Sequence, residues 1–166
     1  MLFRSEQCLA AQGYQHYETS AFARAGMGCR HNLNYWMFGD YIGIGAGAHG
    51  KISFPDRVTR EARYRQPGDY AGRALAGNAV QSLSEVPQAD LGFEFMMNAL
   101  RLTDGFESRL FAERTGLPLA TVLKALDAAE RRGFVIRDHL RVAPTFQGQR
   151  FLNELLQMFL PDTKIE

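Results

Sequence analysis

The chain has 166 residues, 46% hydrophobic and 22% charged, with a net charge of +1. That balance suits one medium domain or two small ones and excludes a polybasic nucleic-acid tail or an acidic disordered segment. No apolar run reaches the roughly 18 residues of a membrane span, and Met1-Leu2-Phe3-Arg4-Ser5-Glu6 is no signal-peptide start, so a cytoplasmic protein is expected.

In chain order, residues 1–12 read as the tail of a helix, with Gly13 its left-handed stop. Residues 14–22 mix aromatic and β-favouring side chains and predict a strand. A glycine loop and the aromatic stretch 32–38 follow. Residues 41–48, Tyr-Ile-Gly-Ile-Gly-Ala-Gly-Ala, are too glycine-rich for a helix and predict a strand buried on both faces. Residues 50–68 read as a loop. From Asp69 helices dominate. Phe93, Met96, Met97 and Leu100 keep the spacing of one helical face, with Asp90 as cap and Gly105 as stop. A short helix is expected at 108–114, a turn at 115–118, and a helix from Leu119 to Gly133. A hairpin then joins Phe134-Val135-Ile136 to Leu140-Arg141-Val142. Thr145 is expected to cap a last helix carrying Phe151, Leu152, Leu155, Leu156 and Phe159, closed by Pro161. Helix, turn, helix, hairpin, helix is the order of a winged-helix unit, here over 106–160. The predicted division is therefore 1–68 and 69–166.

The chemistry-bearing residues lie early. Cys8 and Cys29 form no CxxC pair and number fewer than the three or four thiolates that a zinc or iron–sulfur site made of cysteines requires. Gly45-Ala46-Gly47-Ala48-His49-Gly50 satisfies GxGxxG. A dinucleotide site, however, needs a helix opening inside that motif, and Lys51-Ile52-Ser53-Phe54-Pro55 has no helical pattern. What remains is a glycine-lined strand end that can floor a pocket. His31-Asn32-Leu33-Asn34-Tyr35-Trp36 is the densest ligand-competent group: imidazole ligates haem iron or a metal, amides fix its tautomer, and the aromatics stack on a flat ring. His16 and His49 lie near the two predicted strands and can converge on the same mouth. The alternative, in which His31 and the asparagines satisfy loop backbone while Tyr35 and Trp36 fill core, stays open. Arg57, Arg60, Arg63 and Arg65 can clamp carboxylates or form a solvated loop. The would-be recognition helix mixes Lys124, Arg131 and Arg132 with Asp127 and Glu130, so DNA binding is not expected.

Four strings occur in order: Gly13-Tyr14-Gln15-His16-Tyr17-Glu18-Thr19-Ser20; His31-Asn32-Leu33-Asn34-Tyr35-Trp36; Gly39-Asp40 through Ala48; and Phe93-Glu94-Phe95-Met96-Met97-Asn98-Ala99-Leu100-Arg101-Leu102. Together they resemble the C-terminal part of the oxygen-independent coproporphyrinogen III oxidase-like radical SAM proteins, and within them the haem chaperone (HemW) branch, with which HNxxYW is associated. The resemblance covers nearly the whole chain. It implies an α+β fragment: the last strands of a partial (β/α) barrel, residues 14–22 and 41–48, followed by a mostly helical, winged-helix-like domain. It implies haem handling by His31, Asn32, Tyr35 and Trp36. It also implies that Gly43, Gly45 and Gly47 line the pocket for S-adenosylmethionine and substrate.

The departures shape the expectation. The CxxxCxxC motif that holds the family's [4Fe-4S] cluster is absent, and Ser20-Ala21-Phe22-Ala23 stands where the family usually has Ser-Asn-Phe-Ala. The chain thus reads as a C-terminal portion that binds haem or porphyrin and closes the barrel, relying on an N-terminal radical SAM portion for cluster and S-adenosylmethionine. It has no catalytic residues or metal ligands of its own and is incomplete as a catalyst. The parent protein can deliver haem to membrane proteins, and exposed strands invite self-association. A fragment of a coproporphyrinogen oxidase, or a winged-helix interaction module, are the alternatives.

Overall fold

The computed structural model describes residues 2–161; the first residue and residues 162–166, where the second expected domain ends, lie outside it. The chain divides into two compact units, one made of residues up to Phe38 together with those from Gly92 onward, the other of residues 39–91. The division expected at residue 68 falls inside the second of these.

The first unit opens with helix α1 (Leu2–Ala11), stopped at Gly13, whose φ of +80° suits glycine. The single strand expected over 14–22 is instead a hairpin of β1 (Tyr14–Glu18) and β2 (Ala21–Arg24), turning at Thr19-Ser20. The reason is visible in its side chains: His16 pairs with Phe22 across the strands, and their rings stack 4.5 Å apart. The inner edges of the two strands pair with each other in a two-stranded sheet. Helix α2 (Arg30–Trp36) carries the HNxxYW string.

In the second unit the buried strand expected over 41–48 is absent. Tyr41 forms an isolated bridge to Lys51 rather than a strand, and Ile42 and Ile44 are 70% and 84% exposed. Gly45 and Gly47 take φ of +110° and +71°, which turn the chain rather than extend it. The loop expected over 50–68 is in turn a sheet. Strands β3 (His49–Ser53) and β4 (Val58–Arg63) form an antiparallel pair, extended by β5 (Val80–Glu85) after helix α3 (Pro67–Leu75).

Helix α4 (Gln88–Ala99) spans the boundary between the units. Its buried stripe is Phe95, Met96, Ala99 and Leu100, one register off the predicted face, so Phe93 and Met97 are only half-buried. It ends before Gly105, which instead lies against the backbone of Val142 with φ +65°. Next come β6 (Phe106–Glu107), α5 (Ser108–Thr115), a 3-10 turn at Leu119–Val122 and α6 (Leu123–Arg131). The predicted hairpin forms as β7 (Val135–Arg137) and β8 (Arg141–Pro144), and β6 joins it in the order β6-β8-β7. Asp138 shapes its turn: one carboxylate oxygen accepts from the N–H groups of Leu140 and Arg141 at 2.7 and 2.8 Å. Those bonds hold its carboxyl below the usual range. Thr145 caps the last helical segment as expected, its hydroxyl accepting from Gly148 N–H at 3.0 Å, but the helix breaks at Phe151 into α7 (Phe146–Arg150) and α8 (Leu152–Gln157).

The sheets of the described residues are small and antiparallel. The core of the first unit is aromatic. Phe95 meets Phe38, Phe106 and Phe111 edge to face at 5.9, 4.9 and 5.2 Å, tying the end of α2 to α4, β6 and α5.

Candidate functional site

The spacing of HNxxYW is i, i+1, i+4, i+5. On a helix of about 3.6 residues per turn this places His31, Asn32, Tyr35 and Trp36 on one side, while Leu33 and Met37 take the other. Leu33 and Met37 line a cleft of about 550 Å³ with Tyr17, Phe106 and Leu110, and the four motif residues do not. The helix thus has Leu33 and Met37 on the cleft side and the four ligand-competent residues on the other.

Each motif residue has a definite setting. His31 is exposed, and among the described residues its ring makes no hydrogen bond. Asn32 is half-buried and donates from Nδ2 to the Tyr17 hydroxyl at 3.4 Å. The same hydroxyl accepts from the Cys29 N–H at 3.3 Å, so Tyr17 anchors the first turn of a helix that has no side-chain cap. Tyr35 and Trp36 meet edge to face at 5.0 Å. The Arg101 guanidinium stands over the Trp36 ring, 4.9 Å from its centre. Trp36 Nε1 is buried with no hydrogen-bond partner among the described residues, an omission that ordinarily costs about 1–3 kcal/mol.

The far end of α2 is fixed by Phe38. Its backbone takes φ +56°, a left-handed conformation that costs a non-glycine residue of order 1 kcal/mol. The N–H groups of Met37 and Phe38 donate to the carbonyls of Leu33 and Tyr35, closing the helix. Burial of the Phe38 ring to 1% exposure against Phe95 holds that strain in place. Phe38 thereby ties the end of α2 to the aromatic core.

Gly43, Gly45 and Gly47 belong to the other unit, and the structure gives them architectural settings. A Cβ on Gly43 would lie 2.3 Å from the His49 carbonyl oxygen, and its own carbonyl accepts from Arg63 Nε at 3.1 Å. The N–H of Gly45 donates to the Tyr70 hydroxyl at 3.1 Å. The three do not line the α2 cleft. Of the other two histidines considered, His16 stacks on Phe22 in the first unit, and His49 opens β3 in the second. Arg60 and Arg63 lie on β4 rather than in a loop, and Arg63 pairs with Glu61 at 2.8 Å.

The second unit has one buried charge cluster. Lys51, 2% exposed, donates from Nζ to Asp40 at 3.0 Å and to Ser53 Oγ at 2.9 Å. Burial works against ionising Asp40, but bonds from the side chain and N–H of Ser53 and from Lys51 outweigh it and hold the carboxyl below its ordinary 3.8. Cys8 and Cys29 are exposed. Among the described residues no group of three or more His, Cys, Asp or Glu is placed to hold a metal ion. The donor set present does not fit an iron–sulfur cluster. No described helix is long and apolar enough to cross a membrane.

Sequence reasoning missed Tyr17 and Arg101 as individuals, although both lie within the motif strings quoted for the family resemblance. Their role is visible only once β1, α2 and the end of α4 are folded together.

Comparison with known proteins agrees with this architecture. Residues 86–151 match the family model for the HemN C-terminal domain. The chain is 43% identical to a heme chaperone HemW from Escherichia coli and 41% identical to one from Haemophilus influenzae, each over 96% of this chain and 41% of the relative. It is 36% identical to the heme chaperone HemW of Bacillus subtilis over 92% of this chain and 40% of the relative. The chain therefore spans about 41% of the length of the first two relatives. Among solved structures it resembles the E. coli coproporphyrinogen III oxidase HemN, described as a radical SAM enzyme, with a TM-score of 0.66, 17% identity and coverage of 95% of this chain and 39% of that one. At that identity the likeness is one of fold. The chain carries a HemN C-terminal domain and is homologous to the C-terminal portion of the proteins named heme chaperone HemW.

Proposed function

We propose that this chain supplies the haem-handling face of a HemW-like protein, with haem or porphyrin as cargo and the HNxxYW side of α2 as the contact. The observation that carries the reading is the grouping of His31, Asn32, Tyr35 and Trp36 on one side of a short helix, with His31 exposed and its neighbours held by Tyr17 and the aromatic core. Tyr35 and Trp36 stand edge to face, so a flat, conjugated ring can stack on one of them and meet the edge of the other while the imidazole reaches its iron. The names of the relatives support haem as the cargo. The likeness to the oxidase is one of fold alone and does not by itself favour decarboxylation of coproporphyrinogen.

On this reading the [4Fe-4S] cluster and S-adenosylmethionine belong to an N-terminal radical SAM portion, since the donor set described here does not fit a cluster. This chain takes no catalytic step alone. It contributes a cargo surface, pocket backbone at Gly43, Gly45 and Gly47, and a winged-helix-like packing module over 106–160 that needs no DNA. Delivery of haem to membrane proteins is the activity we assign to the complete protein.

Haem titration followed at the Soret band tests the reading. We expect saturable 1:1 binding by the wild type and an affinity at least about tenfold lower in His31→Ala, the loss of one coordinate or charge-assisted contact. The His31→Ala melting temperature should not change, because the side chain is exposed. Absence of wild-type binding overturns the reading, and unchanged affinity in His31→Ala removes that residue as the ligand.

A further inference from the structure

We infer that Arg101 is the carboxylate-receiving residue of the same site, binding the acidic edge of a flat tetrapyrrole cargo. The inference rests on the haem-binding reading above and adds to it a residue outside HNxxYW.

Three observations converge on Arg101. Its guanidinium lies 4.9 Å over the Trp36 ring, on the side of α2 that carries the motif. Among the described residues no acidic side chain pairs with it. The nearby buried carboxylate, Glu18, instead accepts from the N–H of Ser20 at 3.3 Å and from its hydroxyl. Finally, the backbone at Arg101 is fixed: its carbonyl accepts from the N–H and the hydroxyl of Thr19 at 3.0 and 3.2 Å, and its own N–H donates to the Asn98 carbonyl at 3.1 Å. A half-buried cation on a rigid backbone, stacked on an aromatic and lacking an acid, is prepared for an anion that arrives with a ligand.

The ligand chemistry follows from the neighbours. An anion beside Trp36 and Tyr35 is most readily accommodated when it hangs from a ring that packs against this edge-to-face pair. The propionate carboxylates on one edge of haem meet that description, and a planar guanidinium grips a carboxylate with two parallel N–H donors. Trp36 Nε1, buried and without a partner, is a second donor at the same place. Its acceptor would come from the cargo once the stacked guanidinium moves onto the carboxylate.

The test compares haemin with its dimethyl ester, in which both carboxylates are neutralised, titrated into the 166-residue chain in one detergent-containing buffer. In the wild type haemin should bind more tightly than the ester. Arg101→Gln should weaken haemin roughly ten- to a hundredfold, the range for hydrogen bonds to a charged group, and leave ester affinity unchanged. Arg101→Lys, which keeps the charge but not the fork, should recover only part of the loss. His31→Ala should weaken both ligands alike. If Arg101→Gln weakens both equally, or neither, the carboxylate role is overturned while haem binding stands. Failure of the wild type to bind either porphyrin overturns the underlying reading as well. Circular dichroism melts separate an unfolded variant from a folded one that has lost discrimination, since a merely structural Arg101 cannot distinguish acid from ester.

Discussion

The two compact units are stabilised by different means. The unit holding α2, α4 and the C-terminal helices buries large apolar side chains in one cluster, with Phe38, Phe95, Phe106 and Phe111 all at 2% exposure or less. The unit of residues 39–91 buries few apolar side chains, Val58, Val86 and Leu91, and it also buries the charged Lys51. Its larger apolar side chains, including Ile42, Ile44, Leu75 and Leu83, face outward. HNxxYW stands on the aromatic unit, the more rigid support that the proposed cargo contact needs. The second unit relies on strand pairing, close glycine packing and an ion pair of buried Lys51 with half-exposed Asp40, which are more directional and more easily broken by a single polar change.

The largest blow to this contrast is expected from Phe95→Ala. Removing a ring that touches three others should cost about 3–5 kcal/mol. Hydrogen exchange should then rise through α4, α5 and β8 before it rises in β3 and β4; the reverse order would sink the division. A somewhat smaller effect is expected at Gly43. Adding a methyl group 2.3 Å from a backbone oxygen should cost about 3 kcal/mol, as overpacking with backbone displacement does. Gly45→Ala meets open space and strains only the backbone at φ +110°, a cost of about 1–2 kcal/mol. Equal urea midpoints for the two variants would mean that the Gly43 contact is not the constraint.

Acid should act on both units, through Asp138 at the β7–β8 turn in the first and through Asp40 in the second. The Asp40 carboxyl is held below its ordinary 3.8 in the fold, so its contribution is complete above that value and is lost as pH falls through the lower folded value. With 38% of the Asp40 side chain exposed, the effect is moderate. Exchange of β3 amides should accelerate below about pH 4, and Asp40→Asn should remove the acid-dependent part. An Asp40→Asn profile that parallels the wild type would contradict the assignment. Thr145→Ala is the mildest change, costing about 1 kcal/mol for a lost helix cap. Urea unfolding should show it, with no change in the β3–β4 amides.

How legible each region was follows the same contrast. Residues 106–160 were read almost element by element because their signals are local: the periodicity of Val122 and Leu126, Asp138 in a tight turn, and Thr145 before a helix. Residues 41–85 were misread because theirs are not. Val58–Arg63 and Val80–Glu85 are polar, half-exposed strands without clean alternation, and they become a sheet only by pairing with each other. Gly43 to Gly47 have a composition that fits a buried strand and a turn equally well, and the positive φ values decide for the turn. The shift of the α4 stripe by one residue has the same origin, since which of Phe93 and Phe95 is buried depends on Phe106 and Phe111 far along the chain.

The sequence by itself determined the ligand-competent residues, the family resemblance and the order of C-terminal elements, because residue type and short-range period are enough for those. Tertiary structure decided that HNxxYW lies on a helix whose Leu33 and Met37 line a cleft, that Phe38 closes that helix with a left-handed backbone, and that Arg101 comes over Trp36 without an acid beside it. Those facts depend on contacts between residues tens of positions apart, which long-range packing creates and no local pattern encodes.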